Sequence, residues 1–192
     1  MVSIFYQKNV WNFNEKKITY QREKQTKLFN PLEVIRWNSN KLYLQELSNA
    51  SFSTIETFWL NASELRDKLP NIISEKKWDK CIIKPIVGGN SGHASLWKRE
   101  TDNLEEILSI CKESGKEMWM IQPFITEILT EGEISFIFIG NQFSHAIKKI
   151  PKQDDFRTQI SWGASCTAYL PSVCPCFSFQ ITSTSSSFFF SF

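Results

Sequence analysis

The sequence predicts a mixed α/β or α+β fold, in which helices and strands pack on one another. Three observations carry that expectation. Leu104, Ile107, Leu108 and Cys111 recur at i, i+3, i+4 and i+7, the stripe of an amphipathic helix. Short apolar runs such as Cys81–Ile83 and Met118–Ile121 read as buried strands. Two longer runs, 133–139 and 142–150, flank Gly140-Asn141, a pair suited to a primed hairpin turn.

The elements follow in order. Ser39 is a cap-type residue opening a helix over 39–50, with Tyr43, Leu44 and Leu47 on one face. Asn61-Ala62-Ser63-Glu64 has the pattern of a capping box and opens a short helix to about Leu69. Lys80–Ile86 is a strand, Gly88, Gly89 and Gly92 mark a loop, and His93–Lys98 returns as a second strand. A helix over 102–114 ends at Gly115, a residue able to take the left-handed cap conformation. The strand from Met118 then runs into Gln122-Pro123-Phe124, and the hairpin completes the series. On its second strand a strict two-residue period puts Ser144, Ala146 and Lys148 on one face and Phe143, His145 and Ile147 on the other. No internal repeat is present.

Composition narrows the function classes. With 192 residues, 42% of them hydrophobic and 22% charged, the chain is suited to one ordinary globular domain, or about one and a half small ones. A net charge of +2 is too small for a general polyanion binder. Six of the seven tryptophans (Trp37, Trp59, Trp78, Trp97, Trp119 and Trp162) read as core packing, so a nucleic-acid role ranks last. No run reaches the roughly 20 apolar residues of a membrane-spanning helix. The start, Met1–Val10, has no signal-peptide pattern, and the expected location is cytoplasmic. The five cysteines are odd in number and lack zinc spacing, which points to reduced structural thiols.

Charge ends abruptly. No charged residue follows Arg157, and Ser172–Phe192 holds seven Ser and six Phe. Two readings stand: a hydrophobic tail with its own role, or a C-terminal part replaced by unrelated coding, of which we favour the second. Residues 166–192 are accordingly assigned as an uncharged Ser/Phe-rich tail, disordered or foreign to the fold.

The chemistry concentrates in Lys84-Pro85-Ile86-Val87-Gly88-Gly89-Asn90-Ser91-Gly92. A strand ends in a lysine and enters a loop short of β-carbons, where backbone N–H groups can approach phosphate oxygens. The segment has neither a GK[ST] motif nor GxGxxG, and taken alone a Gly-rich hairpin turn explains it as well.

The order and spacing of four segments add to this. They are NPLEVIRWNSNKLYLQEL (30–47), CIIKPIVGGNSG (81–92), MIQPFITEILTEGEISFIFIGNQFSHAIKKIP (120–151) and DFRTQISWGAS (155–165). Together they resemble the ATP-grasp superfamily, in particular the ATP-binding domain of prokaryotic glutathione synthetases and the O-ureido-serine cyclo-ligase group. The resemblance implies two small α+β lobes around a nucleotide cleft over 31–165, a remnant of an N-terminal lobe over 1–30, and an incomplete C-terminal part.

It also implies roles. Lys41 and Lys84 become the nucleotide-contacting lysines, and Gly88, Gly89, Asn90, Ser91 and Gly92 the phosphate loop. Gln122 to Phe124 become the adenine hinge, and Glu133 the ribose-binding acid, with Glu131 a turn residue. Lys148 and Arg157 become the cations that stabilise phosphoryl charge during formation of an acyl-phosphate. Without the resemblance, both read equally well as solvated cations, and His145 reads as structural. The implied ligands are ATP and a small carboxylate, in an ATP-dependent carboxylate–amine ligase. The implied Mg²⁺ finds no ligands, because no Asp or Glu follows Asp155. The expectation is therefore a weakly active or inactive ligase domain, or alternatively a non-catalytic nucleotide-binding remnant or an interaction domain.

Overall fold

In a computed structural model, residues 32–171 are described, apart from 90, 92, 140 and 141. The 1–30 segment, Asn90, Gly92, the Gly140-Asn141 turn, Cys174, Cys176 and the tail from 172 lie outside the described residues. The chain divides into two units, one of them Ser39–Ile128. The described parts of the other are 32–38 and 129–171.

The Ser39–Ile128 unit is a four-stranded antiparallel sheet of β1 (Phe58–Asn61), β2 (Lys80–Pro85), β3 (Ser95–Lys98) and β4 (Met118–Pro123), in the order β1-β4-β2-β3. Alternation along the strands sends Leu60, Cys81, Ile83, Trp97, Trp119 and Ile121 into one core with the helices Leu65–Lys76 and Leu104–Glu113. The first helix contributes Leu65, Leu69 and Ile73 at four-residue intervals, the second Ile107, Leu108 and Cys111. Arg66 and Glu105 join the two helices across the surface through paired bonds of 2.6 and 2.8 Å.

Local chemistry explains the helix ends. The capping box forms as the sequence predicts, with the Asn61 N–H donating to the Glu64 carboxylate at 2.9 Å. The helix does not stop near Leu69 but runs to Lys76, with Pro70 inside it. The carbonyl that loses its partner there belongs to Arg66, and both residues are exposed, so water can take the N–H's place. Asn103 caps the second helix and Gly115 leaves it at φ 65°.

Ser39 does not cap a helix. It is the last residue of one, Leu32–Ser39, and the next spans Tyr43–Asn49. Asn40 takes the turn between them by accepting from the Leu42 N–H at 3.0 Å. The strand expected over His93–Lys98 begins at Ser95.

The second unit holds a three-stranded antiparallel sheet of β5 (Glu133–Ile139), β6 (Gln142–Ile150) and β7 (Ser165–Tyr169), in that order. The hairpin forms as the sequence predicts, but not in simple register. Ile139 pairs with Gln142 and Phe138 with Phe143, whereas Ile137 pairs with His145, which leaves Ser144 as an extra residue. Phe143 consequently packs on Phe136 and Phe138, with ring centroids 6.2 and 5.8 Å away. It shares the face of Ala146 and Lys148, contrary to strict alternation. β7 pairs with β6 from Ser165 to Tyr169, so residues 166–169 belong to the sheet and not to a separate tail.

Gly132 fixes the entry to β5. Its φ is +78°, and a β-carbon there would lie 2.4 Å from the Lys149 carbonyl oxygen. Gly132→Ala should therefore destabilise the protein by more than about 2 kcal/mol, read by urea denaturation. An unchanged midpoint would contradict this close approach.

Candidate functional site

The 39–128 unit presents its second sheet face opposite the helices. Register places Trp59, Met120 and Lys84 in one row across β1, β4 and β2, and Gln122, Ile82 and Leu96 in the next. Met120 is fully buried and Gln122 nearly so, its side-chain amide donating to Thr57 Oγ1 at 2.8 Å. The Phe124 N–H donates to the Lys80 carbonyl at 3.1 Å, so this N–H is committed to the sheet.

Lys41 lies along the end of β2. Its backbone N–H donates to the Ile86 carbonyl at 2.9 Å, beside a bridge between Asn40 and Val87. Its ammonium donates to the carbonyls of Gly88 at 2.9 Å, Pro85 at 3.3 Å and Ile86 at 3.4 Å. Burial, then the positive charges of Lys84 and Lys116, push this amine down to about 8. Lys41 and Lys84, which are 43 positions apart in sequence, are thus brought together beside Gly88 and Gly89, both exposed. Ser91 belongs to the same loop and is partly buried.

The other unit carries Glu133, Lys148 and Arg157. Glu133 pairs across the strands with Lys149, not Lys148. A two-residue turn with no extra residue would set Glu133 opposite Lys148; the bulge at Ser144 moves the register by one and exchanges the two lysines between faces. Lys148 stands on the other face, opposite Ile134 and Thr167. Lys149 is buried and holds one Glu133 oxygen at 2.7 Å, where Ser135 also donates at 3.2 Å. The Thr158 hydroxyl donates to the other oxygen. Burial alone would raise the Glu133 pKa, but the bonds from Lys149 and Thr158 outweigh it and hold the carboxyl below its ordinary value.

Arg157 is fixed differently. Asp155 grips its Nε and Nη2 at 2.9 and 2.7 Å, and its guanidinium carbon lies 3.5 Å from the centroid of the Trp162 ring. Asp155 also accepts from the Phe156 and Arg157 N–H groups, and the arginine above all holds its carboxyl down to about 2. His145 is exposed, with Nδ1 3.1 Å from the Ser144 hydroxyl. Cys81 and Cys111 are core thiols that burial pushes up to about 12 and about 11. Cys166 is exposed.

Sequence reasoning missed Lys149, Ser135 and Thr158, and placed Trp162 in the core. Trp97 and Trp119 are core residues as expected. The signal for Lys149 lay in the adjacent lysine, but only the bulge selects between them. Among the described residues no helix is long and apolar enough to cross a membrane.

The comparisons agree with this architecture. The D-cycloserine synthetase crystal structure matches with a TM-score of 0.63, 20% identity, and coverage of 79% of this chain and 52% of that one. The ATP-grasp ligase PsnB in complex with Mg and ADP matches with a TM-score of 0.50 at 20% identity, over 79% of this chain and 43% of that one. The fold is therefore that of the ATP-grasp ligases.

Residues 40–170 match the ATP-grasp domain of prokaryotic glutathione synthetases, and the chain belongs to that family. Among curated relatives, glutathione synthetase of Bradyrhizobium diazoefficiens is 25% identical over 84 residues, 44% of this chain and 26% of that protein. The Xylella fastidiosa enzyme is 29% identical over 90 residues, 46% of this chain and 28% of that protein. The matched stretches thus span about a quarter of those relatives' length.

The buried pair makes a stability prediction. Lys149→Met should cost about 3–5 kcal/mol, because Glu133 is left buried without its cation. Glu133→Gln with Lys149→Met should recover most of that loss. The pair's contribution is complete above the carboxylate's ordinary 4.5 and is lost as pH falls through its lowered value. Urea midpoints across pH 2–7 read both effects; equal acid sensitivity of wild type and the double variant would contradict them.

Proposed function

We propose that this chain is the nucleotide-binding region of an ATP-dependent carboxylate–amine ligase. The observation that carries the reading is the meeting of Lys41 and Lys84 beside the Gly88–Gly89 loop, next to a half-buried apolar sheet face. Clustered ammonium groups favour a polyanion, and backbone without β-carbons lets phosphate oxygens approach. The sheet face that carries Trp59, Met120 and Ile82 suits a flat apolar base, with Gln122 and the Phe124 carbonyl as its polar border.

In this reading Glu133 accepts from ribose hydroxyls, keeping its bonds to Lys149 and Thr158. Lys149 is the cation beside it; Lys148 remains a candidate for phosphoryl charge from the opposite face. Arg157 meets the oxyanion that develops during transfer. The reaction balances as two displacements. A carboxylate oxygen attacks the γ-phosphorus and ADP leaves; an amine then attacks the acyl carbon, and phosphate leaves as the amine loses its proton. The chain's own groups bind and orient these partners.

Mg²⁺, implied by the family, does not fit the described donors. Among the described residues no group of three His, Cys, Asp or Glu could hold a metal ion. Glu133 and Asp155 are each taken by a cation, and no carboxylate follows Asp155. This favours nucleotide binding with little turnover in the 192-residue chain, which would act in the cytoplasm.

Two measurements test the reading. ATP at a hundredfold excess over its Kd should add about 2.7 kcal/mol of stability, seen as a rise in melting temperature. Lys84→Ala should remove most of that rise, and an unchanged rise would end the phosphate assignment of Lys84. ADP release with ATP, magnesium and mixed carboxylates and amines should stay below roughly one per second, the lower edge of ordinary turnover. A faster rate would refute the low activity.

A further inference from the structure

Arg157 is held on two sides, by a carboxylate and by an aromatic ring. Asp155 closes one edge of the guanidinium through Nε and Nη2, and Trp162 covers one face at 3.5 Å. The holding pieces are themselves fixed. The Asp155 carboxylate accepts from the N–H groups of Phe156 and Arg157 at 2.8 and 3.0 Å, and its own N–H donates to the Lys152 carbonyl at 3.0 Å. Trp162 ends the 3-10 turn Ile160–Trp162. Gly163 follows at φ 88° and closes that turn onto the Ile160 carbonyl at 2.9 Å.

An arginine side chain ordinarily samples many rotamers, and fixing it costs free energy. Here the fork and the ring meet that cost before any ligand arrives. The fork uses the Nε edge, so only the Nη1 side and the outer Nη2 proton remain to donate. Hydrogen bonds from Nη1 are absent within the described residues, although the side chain is only a quarter exposed. The remaining edge is therefore preset for an incoming oxyanion, with the charge of Arg157 offset by Asp155 until one binds.

We propose that Asp155 and Trp162 are positioning residues that orient Arg157, with its Nη edge outward, toward a phosphoryl or acyl-phosphate oxygen. The orienting role stands on the geometry alone; its oxyanion destination rests on the ligase reading.

The test follows the arginine side-chain nitrogens of the full chain by NMR, with Arg157→Lys assigning the signal. Wild type should show Arg157 Nη groups in slow rotation. Trp162→Phe should keep that signature, because a smaller ring still stacks, while Trp162→Ala and Asp155→Asn should lose it. Acetyl phosphate should shift the Arg157 Nη signals, with affinity about 2- to 30-fold weaker in Trp162→Ala. Should the alanine variant fail to fold, Asp155→Asn against Trp162→Phe gives the same contrast.

Fast rotation in wild type, or equal loss in the phenylalanine and alanine variants, would overturn the proposal. A restrained guanidinium that ignores acetyl phosphate would overturn its oxyanion half. Absence of ATP-induced stabilisation would instead strike the nucleotide reading and leave the restrained signal standing.

Discussion

Ammonium groups from Lys41, Lys84 and Lys116 crowd the end of β2, and that crowding sets the chemistry of the 39–128 unit. Lys41 reaches this place because its own N–H is tied to the Ile86 carbonyl and its neighbour Asn40 bridges Val87. Burial and like charge both act against its charged form. Three backbone carbonyls accept from it and offset part of that cost. An anion would offset the like-charge repulsion among these lysines, and the exposed glycines beside them leave room for one. The other features of the unit, from the helix-backed core to the apolar second face, serve to hold that strand end in place.

The 129–171 portion solves the opposite problem. There a carboxylate is buried, and everything around it donates: Lys149, Ser135 and Thr158. Arg157 is likewise matched by Asp155. The β5–β6 pair and the connection that follows it thus carry compensated charges on fixed partners.

Much of this was legible beforehand. The stripe at Leu104–Cys111, the Asn61–Glu64 box and the pairing of 133–139 with 142–150 each form where the residues place them. What escaped was non-local. Ser39 has a capping side chain, yet a preceding helix claims it. The helix expected to end near Leu69 continues through Pro70, because the Arg66 carbonyl that the proline leaves without a donor belongs to an exposed residue. The largest miss was a single inserted residue: Ser144 has no sequence mark of a bulge, and its effect is to exchange Lys148 for Lys149 beside Glu133. Trp162 was read by composition as core, whereas its partner is a cation five positions earlier. Family resemblance supplied Lys41 and Lys84 by position, and the fold accounts for their meeting in physical terms.

The central claim is that these crowded lysines await a triphosphate, and calorimetry tests it most directly. ATP should be titrated into the chain at pH 8 in two buffers of different ionisation enthalpy. An amine poised at about 8 is half protonated there, and phosphate oxygens raise its affinity for protons. The account predicts net uptake of about half a proton per nucleotide bound. Uptake should fade toward pH 6, where the amine is already charged. Binding heats that do not depend on the buffer, or proton release at pH 8, would contradict it.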